Sequence, residues 1–381
     1  MDITVINICD NVSSLQGAAA PCCGNSQGAQ VSPPRIDQPF VNGVIETPGG
    51  PVPRIAASLT KKDLLGAIRV RFGIRRMHYT VDPGLYASGD PGPNDPVFVT
   101  ANYKLSFDRL REAVSGRNGW ILVLDTKGIN VWCAAGKGTF GTEELIGRIA
   151  SSSLGKVVNH RTLILPQLSG PGVAAFEVKR RSGFKVVYGP VKASDIPAFL
   201  DAGLAATPSM RTKTFPVVER LVLVPVEIIG AAKIALLALA ILFLASLFLT
   251  GTSLDMAFRY SYNAILAMVI GITAGAFCTP LLLPWLPGRS FSIKGLLPGV
   301  AGAILFFAIQ GDNGTRNGTL QVYAWLLLIP VLSTYLAMNF TGSSTFTSLS
   351  GVKKEMRWAV PLQIAGAVFG CVLWFTSFFV H

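Results

Sequence analysis

The chain has 381 residues, is 50% hydrophobic and carries 33 Lys and Arg against 21 Asp and Glu, a formal net charge of +12. Beyond residue 226 there are eight basic and four acidic residues among long uncharged runs, which leaves about +8 on the preceding part and predicts a soluble half followed by a membrane half. The six cysteines, at 9, 22, 23, 133, 278 and 371, are irregularly spaced and two lie within apolar runs, which excludes a disulfide framework.

The basic balance suits an anionic membrane surface, an acidic partner or an anionic cofactor. No basic-aromatic patch or nucleic-acid fold signature accompanies it, so nucleic acid is not an expected partner. The N-terminus has no charged leader followed by an apolar segment, so the soluble half is expected on the cytosolic side of the inner membrane.

Residues 1–58 are rich in Pro, Gly, Ser, Asn and Gln and are expected to be loosely ordered. The adjacent thiols Cys22 and Cys23 within them could hold a soft metal ion such as Hg(II), or could simply lie on a loose arm. Thr60-Lys-Lys-Asp63 has the form of a capping box before Leu64, Leu65, Ile68 and Phe72, which predicts a short helix stopped at Gly73. Residues 75–95 read as an irregular connection.

Strands are then predicted over 96–101, 120–124, 161–165, 184–188 and 218–224, with 129–132 extending the second or standing as a strand of its own. Helices are predicted from the Ser106 cap to Ser115, over 142–152, from Pro171 to Arg181, and over 194–202. Such alternation specifies a doubly wound, Rossmann-like α/β domain over 59–226. Ligands of such sheets sit outside the carboxyl ends of the strands, which directs attention to Thr100-Ala101-Asn102, Asp125-Thr126-Lys127, the turn around Cys133, the loop containing Gln167, and Gly189-Pro190.

Residues 227–381 hold five apolar runs, near 228–250, 262–284, 293–310, 320–340 and 358–380. Each is long enough for a transmembrane helix, so an all-α five-helix membrane domain is expected, in contact with lipid. With the soluble half inside, Arg289, Lys294, Lys353, Lys354 and Arg357 face the cytosol against Arg259 and Arg316 outside, as the positive-inside rule requires. Gly271/Gly275, Gly295/Gly299 and Gly366/Gly370 each form a G-x-x-x-G pair suited to close helix packing.

The stretch around which the soluble half is organised is Gly128-Ile-Asn-Val-Trp-Cys-Ala-Ala-Gly-Lys-Gly-Thr139, a single cysteine between a strand-like run and a glycine-rich turn expected to open a helix. It is not a phosphate-binding loop, because the required first glycine and the hydroxyl after lysine are replaced by Val131 and Gly138. A cysteine nucleophile wants a histidine base, yet His78, His160 and His381 have no sequence context that places them nearby, and a zinc site lacks the other ligands. Thiolate ligand, nucleophile and inert buried cysteine all remain open on these grounds.

Asn130-Val-Trp-Cys-Ala-Ala-Gly-Lys137 resembles the cap-helix motif of the mercury-methylating corrinoid proteins. Val99-Thr-Ala-Asn-Tyr-Lys104, Leu122-Val-Leu-Asp-Thr-Lys-Gly128, His160-Arg-Thr-Leu-Ile-Leu-Pro-Gln167 and Asn339-Phe-Thr-Gly-Ser-Ser-Thr-Phe-Thr-Ser-Leu-Ser-Gly-Val-Lys-Lys354 resemble the same family, so the likeness runs from about residue 60 to the C-terminus. It implies a corrinoid-binding domain akin to that of the acetyl-CoA pathway corrinoid iron-sulfur protein, with Cys133 as the lower axial ligand of a cobalamin-type cobalt. The D-x-H-x-x-G signature of histidine-ligated cobalamin is absent; Asp125-Thr126-Lys127 has lysine where histidine would stand.

The resemblance further implies corrinoid-dependent methyl transfer to Hg(II). A strong thiolate donor below cobalt favours departure of the methyl group with its bonding pair toward a soft acid. The transfer leaves Co(III), and remethylation needs Co(I), so two electrons must be supplied per cycle. An electron donor of the small ferredoxin type with two 4Fe-4S clusters is therefore implied, as is a methyl-folate source acting through a methyltransferase. An alternative is a membrane-tethered methyl carrier in acetyl-CoA pathway carbon metabolism. Expected corrin contacts are Thr100, Ala101 and Asn102, Asp125, Thr126 and Lys127, the stretch Asn130, Val131, Trp132, Cys133, Ala134, Ala135, Gly136, Lys137 and Gly138, and Gln167. Within the stretch, Asn130 and Trp132 hold the turn, while Gly136 and Gly138 permit close backbone approach to a flat macrocycle.

Overall fold

The computed structural model describes residues 33–381 except 250, 252, 311–315, 344–348 and 381, so Cys22 and Cys23 lie outside the described residues. The chain divides into two compact units between Thr214 and Phe215.

The first unit is a seven-stranded mixed sheet in the order β1-β2-β3-β5-β4-β6-β7. Its strands are β1 (Val41–Thr47), β2 (Gly50–Ile55), β3 (Gly84–Ser88), β4 (Val97–Ala101), β5 (Gly119–Leu124), β6 (Thr162–Leu165) and β7 (Lys185–Tyr188). Four of them, β5-β4-β6-β7, run parallel, whereas β3 is antiparallel to β5. The expected α/β sheet is therefore mixed, with a parallel half joined to an antiparallel-edged half.

Two of the irregular stretches expected from sequence are in the sheet. Residues 41–55, assigned to the loose segment, form the β1–β2 hairpin, and β3 lies within 75–95. Pro51 and Pro53 disguise β2 in the sequence; the strand accommodates them because it pairs with β3 only through Arg54 and Ile55, so few ladder donors are needed on that side.

Helices cover both faces. Trp120, Leu122 and Leu124 of β5 face one core with residues of α3 (Val131–Lys137), α4 (Thr142–Ser151), α5 (Leu154–Val157) and α6 (Ala175–Ser182), whereas Ile121 and Val123 face another with α2 (Lys104–Ala113) and α7 (Ile196–Asp201). This period-two division is why β5 is apolar throughout. The chain leaves β4 for β5 on one side and returns across it to β6 on the other, which makes the carboxyl ends of β4 and β6 the switch point of the parallel half. A short helix α8 (Pro208–Arg211) closes the unit.

Helix α1 (Lys61–Arg71) has the expected capping box, with Asp63 N–H donating to Thr60 Oγ1 at 3.3 Å and Thr60 N–H to Asp63 Oδ2 at 2.9 Å. Asp63 also anchors it: Lys104 Nζ donates to Asp63 Oδ1 at 2.5 Å and to Asp108 at 2.8 Å, and Arg111 pairs with Asp63 at 2.9 Å. All four side chains are buried, and the two positive and two negative charges compensate one another. Burial alone would push the Asp63 carboxyl up, but the hydrogen bonds from Lys104 and Thr60 outweigh it and hold the group well below the usual carboxylate range.

The second unit is helical. The strand expected over 218–224 is instead helix α9 (Val217–Leu221), which leads into α10 (Val224–Leu249). α11 (Leu254–Ile272), a π-helical turn (Thr273–Cys278), α12 (Thr279–Leu282), α13 (Phe291–Gln310), α14 (Arg316–Asn339) and α15 (Leu349–Thr376) follow. Among the described residues, five helices are long and apolar enough to cross a membrane. The three glycine pairs share one role. Added Cβ atoms at Gly275, Gly295 and Gly299 would each lie 2.8 Å or less from atoms of α14, and those at Gly366 and Gly370 would meet Val331 and Leu328 of the same helix. α14 is the helix on which α11 with its π-helical turn, α13 and α15 close, whereas α10 packs on α11.

Candidate functional site

Cys133 lies in the first turn of α3, not before a glycine turn that opens a helix. Asn130 is the N-cap and its Oδ1 accepts a hydrogen bond from Cys133 N–H at 2.9 Å, so the strand expected over 129–132 gives way to a helix at Val131. The glycines stop this helix instead: Gly138 takes the left-handed conformation at φ 81°, and Phe140 N–H donates to Ala134 O at 3.1 Å. Ala134 and Ala135 are buried against the sheet, Cys133 and Trp132 are half-buried, and Gly136, Lys137 and Gly138 are exposed.

The turn before α3 is built on Asn102, at the carboxyl end of β4. Its Oδ1 accepts from Thr126 N–H at 3.1 Å and Gly128 N–H at 3.0 Å, and its Nδ2 donates to Asp125 Oδ1 at 3.3 Å. Thr126 Oγ1 stands 2.8 Å from Asn102 Oδ1 and 2.7 Å from Ile129 O, close enough to donate its one proton to either. Asn102 therefore organises the loop that delivers the cysteine, and Thr100, Ala101 and Thr126 are buried within the same framework.

Asp125 and Lys127 form an ion pair on the rim of this turn, and Lys127 is exposed in the left-handed region at φ 57°. Burial opposes ionisation of Asp125, but side-chain and backbone hydrogen bonds from Lys127 prevail and hold its carboxyl below the ordinary range. Glu144 of α4 accepts from Asp125 N–H at 2.8 Å and from Arg148 at 2.7 Å, which ties the next helix to the loop.

The segment before β3, Tyr103 and the loop after β6 complete the surroundings. The segment before β3 runs beside the turn: a Cβ at Gly128, which has φ +72°, would lie 2.7 Å from Met77 O. Tyr103, the residue after Asn102, is buried; burial pushes its phenol up, while hydrogen-bonded Arg76 and nearby Arg71 oppose the shift and the neighbouring Cys133 adds to it. Tyr103 is the first residue beyond the Thr100–Asn102 strand end, the nearest hint the sequence offers. Gly172 presses the loop after β6 onto α3, since a Cβ there would stand 2.2 Å from Phe140 O and 3.0 Å from Ala135 O. Gln167, in that loop, accepts from Arg211 at 2.6 Å.

His160 does not join the site. Thr162 N–H donates to its Nδ1 at 3.2 Å, so Nε2 carries the proton and donates to Asp95 O at 2.8 Å, at the amino end of β6. Among the described residues no group of three or more His, Cys, Asp or Glu side chains could hold a bare metal ion. One thiol beside a glycine whose added Cβ would meet nothing within 4 Å would suit a metal that is carried by a macrocycle and needs a single protein donor.

An α/β domain that presents a single thiol on a short helix above the carboxyl ends of its parallel strands is the class of protein these features define. Residues 54–200 match the family described as CO dehydrogenase/acetyl-CoA synthase delta subunit. The chain is similar to the acetyl-CoA decarbonylase/synthase complex subunit gamma of Archaeoglobus fulgidus, 34% identical over 152 residues, covering 39% of this chain and 32% of the relative. The Methanocaldococcus jannaschii subunit gamma is 31% identical over 127 residues, 33% of this chain and 26% of the relative. The corrinoid/iron-sulfur protein large subunit of Moorella thermoacetica is 28% identical over 128 residues, 33% of this chain and 28% of the relative. The matched part spans about a third or less of the length of these relatives, and the expected likeness to the corrinoid iron-sulfur protein is found in it.

Proposed function

We propose that this chain is a membrane-anchored corrinoid protein that takes part in methyl transfer, with Cys133 as the protein ligand below cobalt. The observation that carries the reading is the Cys133 thiol, capped in place by Asn130 above the strand ends of a domain similar to a corrinoid/iron-sulfur protein subunit. A bound corrinoid supplies a cobalt ion able to accept and release a methyl group. Cys133 donates electron density to it, Gly136 leaves room for a flat ring, and Asn102 fixes the turn from below. Anaerobic reconstitution with cobalamin tests this: a cobalamin-bound protein whose absorption spectrum shifts in Cys133→Ala supports it, and an unchanged spectrum overturns the ligand assignment.

The similarity to acetyl-CoA decarbonylase/synthase subunits supports a methyl carrier of one-carbon metabolism. A second reading, methyl transfer to Hg(II), is favoured by one specific feature, the thiol in Asn130–Lys137, because a soft thiolate holding the cobalt would add electron density that suits methyl transfer to a soft acid. Comparing methylmercury formation in cells with and without the gene decides between them; equal formation removes the second reading. In either case the five apolar helices cross the inner membrane, the α/β unit faces the cytosol, a two-cluster ferredoxin-like protein supplies electrons, and a methyl-folate-dependent methyltransferase supplies the methyl group.

A further inference from the structure

Helix α1 is held to the α/β unit by one narrow side. Asp63 enters the buried ion cluster, Gly66 abuts Tyr79, and Val70 is buried. At about 100° per residue, Leu64, Leu65, Ile68 and Phe72 fall within about 100° of one another on the opposite side. All four are between 43 and 55% exposed. Arg71 borders this stripe on one flank, Lys62 and Arg69 border it on the other, and Lys61 stands at its start. Exposed Ile74 and Met77 continue it past the helix, alongside Arg75 and Arg76.

We propose that α1 and the segment to Met77 form an interfacial element that lies on the anionic surface of a lipid bilayer. The stripe is a convex ridge rather than a groove, so it suits insertion among headgroups and not the capture of a partner's helix or strand. Its rim is of one sign: the sole acidic residue of α1 is turned inward and neutralised by Lys104 and Arg111. Long basic side chains on both flanks can pack their stems along the ridge while their charges meet lipid phosphates. The inference rests on the reading that the five apolar helices span a membrane, which keeps the domain close to a bilayer without a separate association step. Because Met77 O approaches Gly128, docking holds the Cys133 turn beside the lipid headgroups.

The test uses the full chain in nanodiscs containing about one-third phosphatidylglycerol, with a genetically encoded fluorescent amino acid at position 65 and, separately, at exposed position 180 of α6. Incorporation into discs reports on the membrane reading by itself. The expected result is at least about twofold quenching at position 65 by doxyl-labelled lipid, with protection from aqueous iodide, while position 180 stays open to iodide. Replacing Lys61, Lys62, Arg69 and Arg71 by Gln, or the anionic lipid by phosphatidylcholine, should remove most of that quenching. Iodide quenching without lipid quenching at position 65 overturns the proposal, as does protection from both, which would mean that protein covers the ridge.

Discussion

Asn130 Oδ1 accepts the backbone N–H of Cys133 at 2.9 Å, so the residue that starts α3 also fixes the backbone of its one cysteine. Asn130→Ala should cost about 1 kcal/mol of helix stability. Faster amide exchange across 131–137 and weaker cobalamin binding are the expected readouts. Asn130→Asp, which keeps the acceptor, should restore slow exchange.

Asn102→Leu removes the acceptor shared by Thr126 and Gly128 and leaves two backbone donors without it. Each stranded buried donor costs about 1–3 kcal/mol. The variant should retain its sheet by circular dichroism while residues 125–137 exchange faster, since the defect lies in the turn rather than in β4.

Gly172→Ala places a Cβ 2.2 Å from Phe140 O and 2.9 Å from Ala135 Cα, both backbone atoms that cannot swing aside as a side chain would. A loss of about 1–3 kcal/mol follows from such overpacking. Thermal unfolding of the full chain should show it, and Gly136→Ala, which meets nothing within 4 Å, should melt as wild type does.

Asp63 gives a pH dependence of defined sign. Its pKa is lowered on folding, because its hydrogen bonds with Lys104 and Thr60 outweigh the opposing effect of burial. Its contribution is therefore complete above the unfolded carboxylate pKa and is lost as pH falls through the folded value. Amide exchange in α1 should accelerate at acid pH in the wild type. Asp63→Asn should destabilise the α1–α2 contact by about 3–5 kcal/mol at neutral pH and remove most of the acid dependence.

The parallel half of the sheet was legible because β4, β5 and β6 are short apolar runs buried on both faces, a pattern that composition alone exposes. β2 was hidden by Pro51 and Pro53, and β3 by its glycine- and proline-rich neighbourhood. Near the site, Ile129-Asn-Val-Trp132 has strand-forming residue types, yet the Asn130 cap outweighs that preference. Val217–Leu221 misled for the same reason; Pro216 sets its helix start, and the apolar run beyond continues as helix. The sequence singles out Cys133, and the structure places it in the first turn of α3. The contributions of Met77, Arg76, Tyr103 and Gly172 were not legible there, because they depend on which loops the fold brings together.

α3 has only seven residues, too few to persist as a helix in water without the sheet beneath it. The thiol's aim therefore exists only in the folded domain, and an unfolded or half-made chain offers a metal no more than a loose cysteine among others. Order of assembly follows: the sheet must close first, and under the proposed reading a corrinoid would be recognised only by a finished domain.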